Sequence, residues 1–219
     1  MSILKLQDIK YEILRDAGRP LVFVGTTYFN KMLYKYFATA GHEVLLHRVE
    51  DIQNNSQEWF DCHQFICVSS NVATKKFVTG AIADKRPHYV SIVGGYNQFL
   101  NLSVGEGSYI EHYTMAMWEG CEVGNHCTIL SYCQIAHDAV IKDYCHFSGY
   151  SFIGYATIGE GTCAGMRTTI VGSIEKPITT AEYCNYMINS VVTKNIETPG
   201  TYHGNKKFGE STSLNYDML

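Results

Sequence analysis

A period of six residues is the feature of this sequence that most limits its fold. From Val123 the chain reads VGNHCT, ILSYCQ, IAHDAV, IKDYCH and FSGYSF, so that each block begins with a large apolar residue. The fifth residue of each block is small, and these residues are Cys127, Cys133, Ala139, Cys145 and Ser151. A period of six fits neither an α-helix, with about 3.6 residues per turn, nor a lone strand, which alternates at every second residue.

The same period extends to both sides of this stretch. Further blocks begin at Val104, Ile110 and Ala116 upstream, and at Ile158, Ala164 and Ile170 downstream. One-residue shifts in phase occur before Val123 and between Phe147 and Ile158. The repeat predicts coils of about 18 residues, each made of three short strands. The large apolar side chains then fill a narrow interior, in which bulk at the small positions would clash. The alternative is a meander of strands with accidental spacing.

Four of the eight cysteines fall on the small positions of their blocks, and these are Cys127, Cys133, Cys145 and Cys163. Free cysteine packs as a small apolar residue, so we predict a structural role for them. Zinc ligation is the alternative, but the chain lacks the CxxC pairs that are typical of structural zinc. We therefore predict no bound metal.

The composition and the charge argue against a nucleic-acid-binding protein and against a membrane protein. The net charge of −4 and the pI near 6.1 give no basic footprint for nucleic acid. No basic segment followed by an apolar run opens the chain, and no apolar stretch approaches the roughly 18 residues that span a bilayer. We predict a cytoplasmic protein without a membrane partner. Only 17% of the residues are charged, which is compatible with a subunit interface.

The chain outside the repeat divides into two parts. Four apolar runs alternate with helical stretches near residues 30–40 and 74–83. The first run precedes Gly25, and the others lie within GHEVLLHRV, QFICVSSN and HYVSIVGG. This alternation predicts a small Rossmann-like α/β domain over residues 1–100. Residues 1–18 are amphipathic and predict a leading helix. The β-helix is expected over residues 101–200, and the polar residues 201–219 predict a loop or arm.

This order of parts resembles the bacterial sugar acetyltransferases of the sialic-acid O-acetyltransferase type and the related UDP-4-amino-sugar N-acetyltransferases. The stretches that carry the resemblance are VGNHCTILSYCQIAHDAVIKDYCHF and SVVTKNIETPGTYHGNKK. The resemblance implies a left-handed parallel β-helix, acetyl-CoA as co-substrate and no metal. It also implies a homotrimer with active sites between subunits, and a sugar, usually nucleotide-linked, as acceptor.

The position of His137 agrees with the role that the resemblance gives it. As the third residue of its block, His137 should point outward near a corner, and a neutral imidazole suits a general base near pH 7. The resemblance makes Asp138 the residue that orients His137, and makes His146 a contact of the thioester. It places the backbone N–H of Gly154 near the acyl carbonyl. The residues that it assigns to the CoA channel are Ala164, Gly165 and Lys194. His112 and His126 are expected on the surface.

The N-terminal part holds the candidates for sugar-nucleotide binding. By resemblance these are Gly25, Glu50, Asp51 and Asn71. The glycine-rich turn of the family is altered here, because in GTTYFNK only Gly25 and Lys31 match its pattern.

The leading hypothesis is therefore an acetyl-CoA-dependent N-acetyltransferase acting on a nucleotide-linked amino sugar in glycan or lipopolysaccharide synthesis. The altered turn motivates an alternative, O-acetylation of a sugar that is not nucleotide-linked. Two further hypotheses are a β-helix carbonic anhydrase, which the nine-residue spacing of His137 and His146 fits poorly, and a non-catalytic scaffold.

Overall fold

The structure is a computed structural model that describes residues 10–116 and 118–210. Its N-terminal part contains four short strands, four α-helices and one 3-10 helix among these residues. They are β1 (Tyr11–Leu14), β2 (Leu21–Val24), α1 (Tyr28–Thr39), β3 (Val44–His47), α2 (Val49–Ile52), α3 (Gln57–Asp61), β4 (Gln64–Ile66), α4 (Val72–Ala81) and the 3-10 turn (Ala83–Lys85). Strands β3, β2 and β4 form a parallel sheet in that order, as expected for strands alternating with helices.

Buried polar side chains fix the turns at the carboxyl edge of this sheet. Every residue of β2 is buried, as is common for a central parallel strand. Asn30 is also buried and donates from Nδ2 to the carbonyl oxygens of Val24 and Gly25, at 2.7 and 2.9 Å. Thr27 caps the first turn of α1 by accepting from the Asn30 N–H.

The N-terminal part departs from the Rossmann-like prediction in two ways. The expected fourth strand, β5 (Ser91–Gly94), joins the β-helix instead, and a bridge between Phe65 and Tyr89 links its segment to the small sheet. The leading-helix prediction is wrong for β1, which pairs antiparallel with β5 and covers its free edge. The apolar pattern there was too short to separate helix from strand. Residues 1–9 of that prediction lie outside the described residues.

The remaining strands are short and build a three-walled β-helix. In chain order after β5 they are β6 (Gln98–Phe99), β7 (Leu102–Val104), β8 (Tyr109–Ile110), β9 (Met115–Ala116), β10 (Cys121–Val123), β11 (Thr128–Ile129), β12 (Gln134–Ala136), β13 (Val140–Ile141), β14 (His146–Phe147), β15 (Phe152–Gly154), β16 (Ala156–Ile158), β17 (Cys163–Ala164), β18 (Thr169–Val171), β19 (Ile178–Thr179), β20 (Cys184–Tyr186), β21 (Val191–Val192), β22 (Gly200–His203) and β23 (Lys206–Gly209). The β-helix thus begins before residue 101, with β5 and β6.

The walls are three parallel sheets that the chain visits in rotation. The first wall contains β5, β8, β11, β14, β17, β20 and β22, the second β6, β9, β12, β15, β18 and β21, and the third β7, β10, β13, β16 and β19. We call the turn from the first wall to the second the first corner, the turn from the second to the third the second corner, and the turn back to the first wall the third corner. The second corner therefore lies opposite the first wall.

The one-residue shifts of the repeat appear as coils of unequal length. Val104 pairs with Val123, Val123 with Ile141, and Ile141 with Ile158, so successive coils hold 19, 18 and 17 residues. Both irregularities lie at the second corner, which contains residues 118–120 in the long coil and Tyr155 alone in the short one. A later coil is lengthened at the same corner by residues 172–177.

The interior agrees with the six-residue prediction. The residues that open the blocks are all buried, and they are Val104, Ile110, Ala116, Val123, Ile129, Ile135, Ile141, Phe147, Ile158, Ala164 and Ile170. The four cysteines named above are buried and free, and Cys121 and Cys184 are buried in the same way. The interior thiols reach the next coil: Cys145 Sγ donates to the Gly159 carbonyl at 3.3 Å. The position predicted for Cys163 is wrong, because it is the sixth residue of its block and its thiol donates to the Ser70 carbonyl of the N-terminal part at 3.8 Å. Among the described residues, no group of His, Cys, Asp or Glu side chains could hold a metal ion.

Two further predictions are wrong. The tail contains β22 and β23, which form an antiparallel hairpin over Gly200–Gly209, so a polar sequence here forms an exposed edge rather than a loop. Residues 211–219 lie outside the described residues. His112 and His126 are buried, because their rings pack against Tyr11 and Tyr89 of the N-terminal part. In the described chain, no helix is long and apolar enough to cross a membrane.

Candidate active site at the second corner

His137 lies at the second corner, directly after β12. Its side chain is half-buried and points out of the β-helix, as its place in the block predicts. Its carbonyl oxygen accepts a hydrogen bond from the Tyr155 N–H at 2.7 Å, which ties this corner to the next coil. The chain therefore presents an imidazole on an outer edge, where an approaching molecule can reach it.

Two aromatic rings flank the His137 imidazole. The ring centroid of Tyr155, on the following coil, lies 5.1 Å away, and the two planes are within 3° of parallel. Trp118, on the preceding coil, lies 4.7 Å away with its plane tilted by 46°. Each face of the imidazole therefore has an aromatic neighbour, while its two ring nitrogens lie on the edge.

The unequal coils explain how these rings meet. Ala136 pairs with Gly154, and Val140 pairs with Thr157 on the next wall, so the following coil has lost one residue between them. Tyr155 alone turns this corner, with a φ of 48° in the left-handed region. That conformation costs a residue with a side chain about 1–2 kcal/mol. The shortened turn sets the Tyr155 ring directly below His137.

Asp138 does not hold the position expected of an orienting carboxylate. It is exposed, and its φ of 53° turns its side chain toward the previous coil, where a methyl group at Gly120 would collide with its carboxylate. Within the described chain, no hydrogen bond joins this carboxylate to the His137 ring. The backbone conformation of the corner is the physical reason for this difference.

Two of the expected cofactor residues lie on the same side of the molecule as His137. Gly154 ends β15, one coil after Ala136, and follows the outward-facing Phe152 and the buried Ile153. A Cβ atom on Gly154 would lie 3.2 Å from the Phe152 ring, so that ring lies over the outer surface of the second wall at Gly154. Lys194 is exposed at the second corner of a later coil, two residues after the end of β21.

The other three expected cofactor residues lie elsewhere. His146 is on the first wall, only 1% exposed, and its Nε2 lies 3.2 Å from Ser148 Oγ. Burial lowers the pKa of His146 to about 3, and the charge of Lys75 adds to that effect. The Ala164 methyl group packs inside the β-helix, and Gly165 lies at the first corner. Within one chain the structure therefore does not bring these residues to His137, because the first wall lies opposite the second corner and Gly165 turns a different corner.

The N-terminal candidates cluster at the carboxyl edge of the small sheet. Gly25 has a φ of 96°, and its N–H donates to His47 O at 2.7 Å. Glu50 and Asp51 are exposed on α2, and Asp51 accepts from the Arg48 N–H at 3.2 Å. Asn71 is buried and caps α4 by accepting from the Thr74 N–H, so it has a structural role there.

These candidates and His137 lie on different sides of one chain. The N-terminal part packs on the first wall, where Thr128 Oγ1 donates to the Ser69 carbonyl at 2.9 Å and Lys75 Nζ donates to the Cys145 carbonyl at 3.1 Å. The second corner lies opposite that wall. Trp118 and Tyr155 were missed by the sequence analysis, although both fall at corner positions one coil away from His137.

Comparisons with known proteins agree with this architecture. The family model described as bacterial transferase hexapeptide (six repeats) matches residues 120–154. No curated protein sequence matches the chain.

Three solved structures share the fold over most of the chain. The acetyltransferase domain of PglB from Neisseria gonorrhoeae superposes with a TM-score of 0.72 at 15% identity, covering 87% of this chain and 99% of that one. PerB from Caulobacter crescentus, in complex with CoA and GDP-perosamine, gives 0.71 at 11% identity, covering 85% and 94%. WeeI from Acinetobacter baumannii gives 0.64 at 18% identity, covering 87% and 99%.

The repeat and these likenesses establish the fold. The C-terminal part of the chain is a left-handed β-helix of hexapeptide repeats, and an α/β unit precedes it. The same arrangement occurs in sugar acetyltransferases.

Proposed function

We propose that this chain is an acetyl-CoA-dependent acetyltransferase that acts on the amino group of a nucleotide-linked amino sugar, with His137 as general base. The observation that carries the proposal is an imidazole on the outward second corner of a hexapeptide β-helix, between aromatic rings and beside Gly154. PerB, whose structure contains CoA and GDP-perosamine, supports this class of substrate by its shared fold.

The chemistry requires few protein groups. An amine attacks a thioester only when it is unprotonated, and its proton must leave as the carbon–nitrogen bond forms. His137 would accept that proton, and the negative charge of Asp138, one residue along the chain, would stabilise the imidazolium at longer range. Holding both substrates together makes a covalent intermediate unnecessary.

We place the pantetheine arm of acetyl-CoA along the outer surface of the second wall, past the Phe152 ring that lies at Gly154. Lys194 would supply a positive charge for the phosphates of CoA further along the same corner. This assignment separates the thioester site from His146 and Ala164 on the first wall and from Gly165 at the first corner.

We propose a homotrimer whose sites lie between subunits. One chain keeps Gly25, Glu50, Asp51 and Asn71 on the first-wall side and His137 at the opposite corner. A neighbouring copy would bring its N-terminal part to this corner and complete the site. The eight free cysteines suit a reducing compartment, so we place the protein in the cytoplasm.

An acetylation assay tests the proposal. Acetyl transfer is measured with UDP-, dTDP- and GDP-linked amino sugars for the wild type, for His137→Asn and for His203→Asn, an exposed histidine outside the site. Loss of the general base should lower kcat about 10²–10⁴-fold, while the control stays active. Unchanged turnover in His137→Asn would remove His137 from the proposed role.

A second candidate, O-acetylation of a sugar without a nucleotide, is favoured by one observation. The turn after β2, where the family resemblance expects a nucleotide, is filled by the Asn30 side chain, which donates to Val24 O and Gly25 O. Calorimetry with UDP, dTDP and GDP separates the two candidates. Binding of one nucleotide supports the first, and binding of none supports the second.

A further inference from the structure

The imidazole of His137 is held by ring contacts rather than by a carboxylate. Tyr155 lies parallel to it at 5.1 Å and Trp118 lies at 4.7 Å, whereas the Asp138 carboxylate points toward Gly120. In many enzymes a hydrogen-bonded carboxylate fixes the orientation and tautomer of a histidine base. In this chain another means of orientation is needed.

We propose that Trp118 and Tyr155 are positioning residues that fix the His137 ring for proton transfer. This inference rests on the proposed role of His137 as general base. Rings on both faces oppose rotation of the imidazole about its side-chain bonds, since rotation would drive its edge into them. The two nitrogens stay on the open edge, where the amine of the acceptor would arrive. Orientation by stacking therefore leaves the reactive edge unobstructed.

The same rings favour the charged product of the proton transfer. The face of an aromatic ring attracts a cation, most strongly for tryptophan, and contributes more when water is excluded. When His137 takes a proton, the imidazolium remains between Trp118 and Tyr155. The two aromatic rings would thus supply part of the stabilisation of the imidazolium that a neighbouring carboxylate supplies in other enzymes.

The construction of the corner supports a dedicated role for Tyr155. The coil that carries it is one residue short, so Tyr155 turns the corner alone in a left-handed conformation. Its N–H also donates to the His137 carbonyl at 2.7 Å, which fixes the distance between the two coils. Left-handed residues also turn other corners of the β-helix, at Tyr113, Tyr132 and Tyr150, so the one-residue shortening of the coil, and not the φ, distinguishes Tyr155.

Two variants of Tyr155 separate positioning from simple packing. Tyr155→Phe keeps the ring and removes the hydroxyl, and Tyr155→Leu removes the ring but keeps an apolar side chain. We expect Tyr155→Phe to retain wild-type kcat. Tyr155→Leu should lower kcat about tenfold, while KM for acetyl-CoA changes less than about twofold, because the loss falls on the transition state. Trp118→Leu provides the same test on the other face if the Leu variant at 155 does not fold.

A second readout does not depend on activity. Aromatic neighbours shift the ring-proton NMR resonances of His137 upfield, so Tyr155→Leu should move them downfield and Tyr155→Phe should not. Wild-type kcat in both Leu variants, with the resonances moved, would overturn the positioning role and leave the proposed function intact. Unmoved resonances would overturn the stack itself. Failure of the proposed function would appear separately, as full activity in His137→Asn.

Discussion

The ammonium group of Lys75 on α4 donates a hydrogen bond to the carbonyl of Cys145 on the first wall, at 3.1 Å. Lys75 is fully buried, and burial lowers its pKa. The Cys145 carbonyl also accepts from the Thr128 N–H at 2.9 Å, so it keeps a partner if Lys75 is replaced. The stem of Lys75 therefore fills the interface between the N-terminal part and the β-helix, and its ammonium group is costly to bury.

The volume of Lys75 should matter more to stability than its charge. Lys75→Met keeps an unbranched chain and removes the buried amine, so we expect its free energy of unfolding to match or exceed that of the wild type. Lys75→Ala should lower the free energy of unfolding by about 2–5 kcal/mol, because it leaves a cavity. Urea denaturation measures both variants. Equal destabilisation by Met and Ala would show that the ammonium contact dominates.

His146 should make the protein less stable in acid. Its pKa is lowered to about 3 by burial, whereas an unfolded chain has histidine near 6.5. Between pH 6.5 and 3 the unfolded chain binds a proton that the native chain does not. The free energy of unfolding therefore decreases as the pH is lowered through this range, by up to about 1.4 kcal/mol per pH unit.

His146→Gln removes this titration, and denaturation midpoints measured between pH 7 and 4 should then depend less on pH. Burial also lowers the pKa of His126, to about 4, so His126→Gln should remove a second part of the same slope. A slope unaltered by both substitutions would contradict the burial of these rings.

The small positions of the repeat should reject a larger side chain. Cys145 is buried, with its thiol directed at the Gly159 carbonyl of the next coil. Cys145→Val should lower the free energy of unfolding by about 1–3 kcal/mol through overpacking. Cys145→Ala should cost less, and Cys62→Val, at an exposed cysteine, should have little effect. Equal stability of Val and Ala at position 145 would mean that this position does not limit size.

The interior of the β-helix could be predicted because its rule is local. Aliphatic side chains at every sixth residue are buried by pointing into the β-helix. The phase shifts near Val123 and Ile158 correctly identified the coils of unequal length. The hairpin of β22 and β23 and the short strand β1 were missed, since four-residue segments carry too weak a pattern. Their pairing depends on edges that only the folded chain presents.

The aromatic neighbours of His137 could not be predicted in the same way. Trp118 and Tyr155 lie 19 and 18 residues from it, and their stacking depends on the register of three coils. The expected role of Asp138 stays a prediction, and in this chain a left-handed backbone turns its carboxylate away from the His137 ring. His146, nine residues after His137, lies on another wall of the same chain, so its expected contact with the thioester stays a prediction.

Mixing two inactive variants should restore activity if the site lies between subunits. One variant is His137→Asn, and the other is Gly25→Val, in which a left-handed glycine at the nucleotide turn is replaced. Random trimers formed after co-refolding should recover about a quarter of the wild-type sites, because a site then needs one intact half from each of two neighbours. Recovery near zero from folded mixed trimers would mean that both halves belong to one chain.

The most direct test of the account is a crystal structure of the protein with bound CoA. We predict that the CoA sulfur lies at the second corner, within about 4 Å of a His137 ring nitrogen, with the pantetheine arm passing Gly154 and a neighbouring subunit closing the site. A CoA bound along the first wall near His146, with its sulfur away from His137, would contradict it.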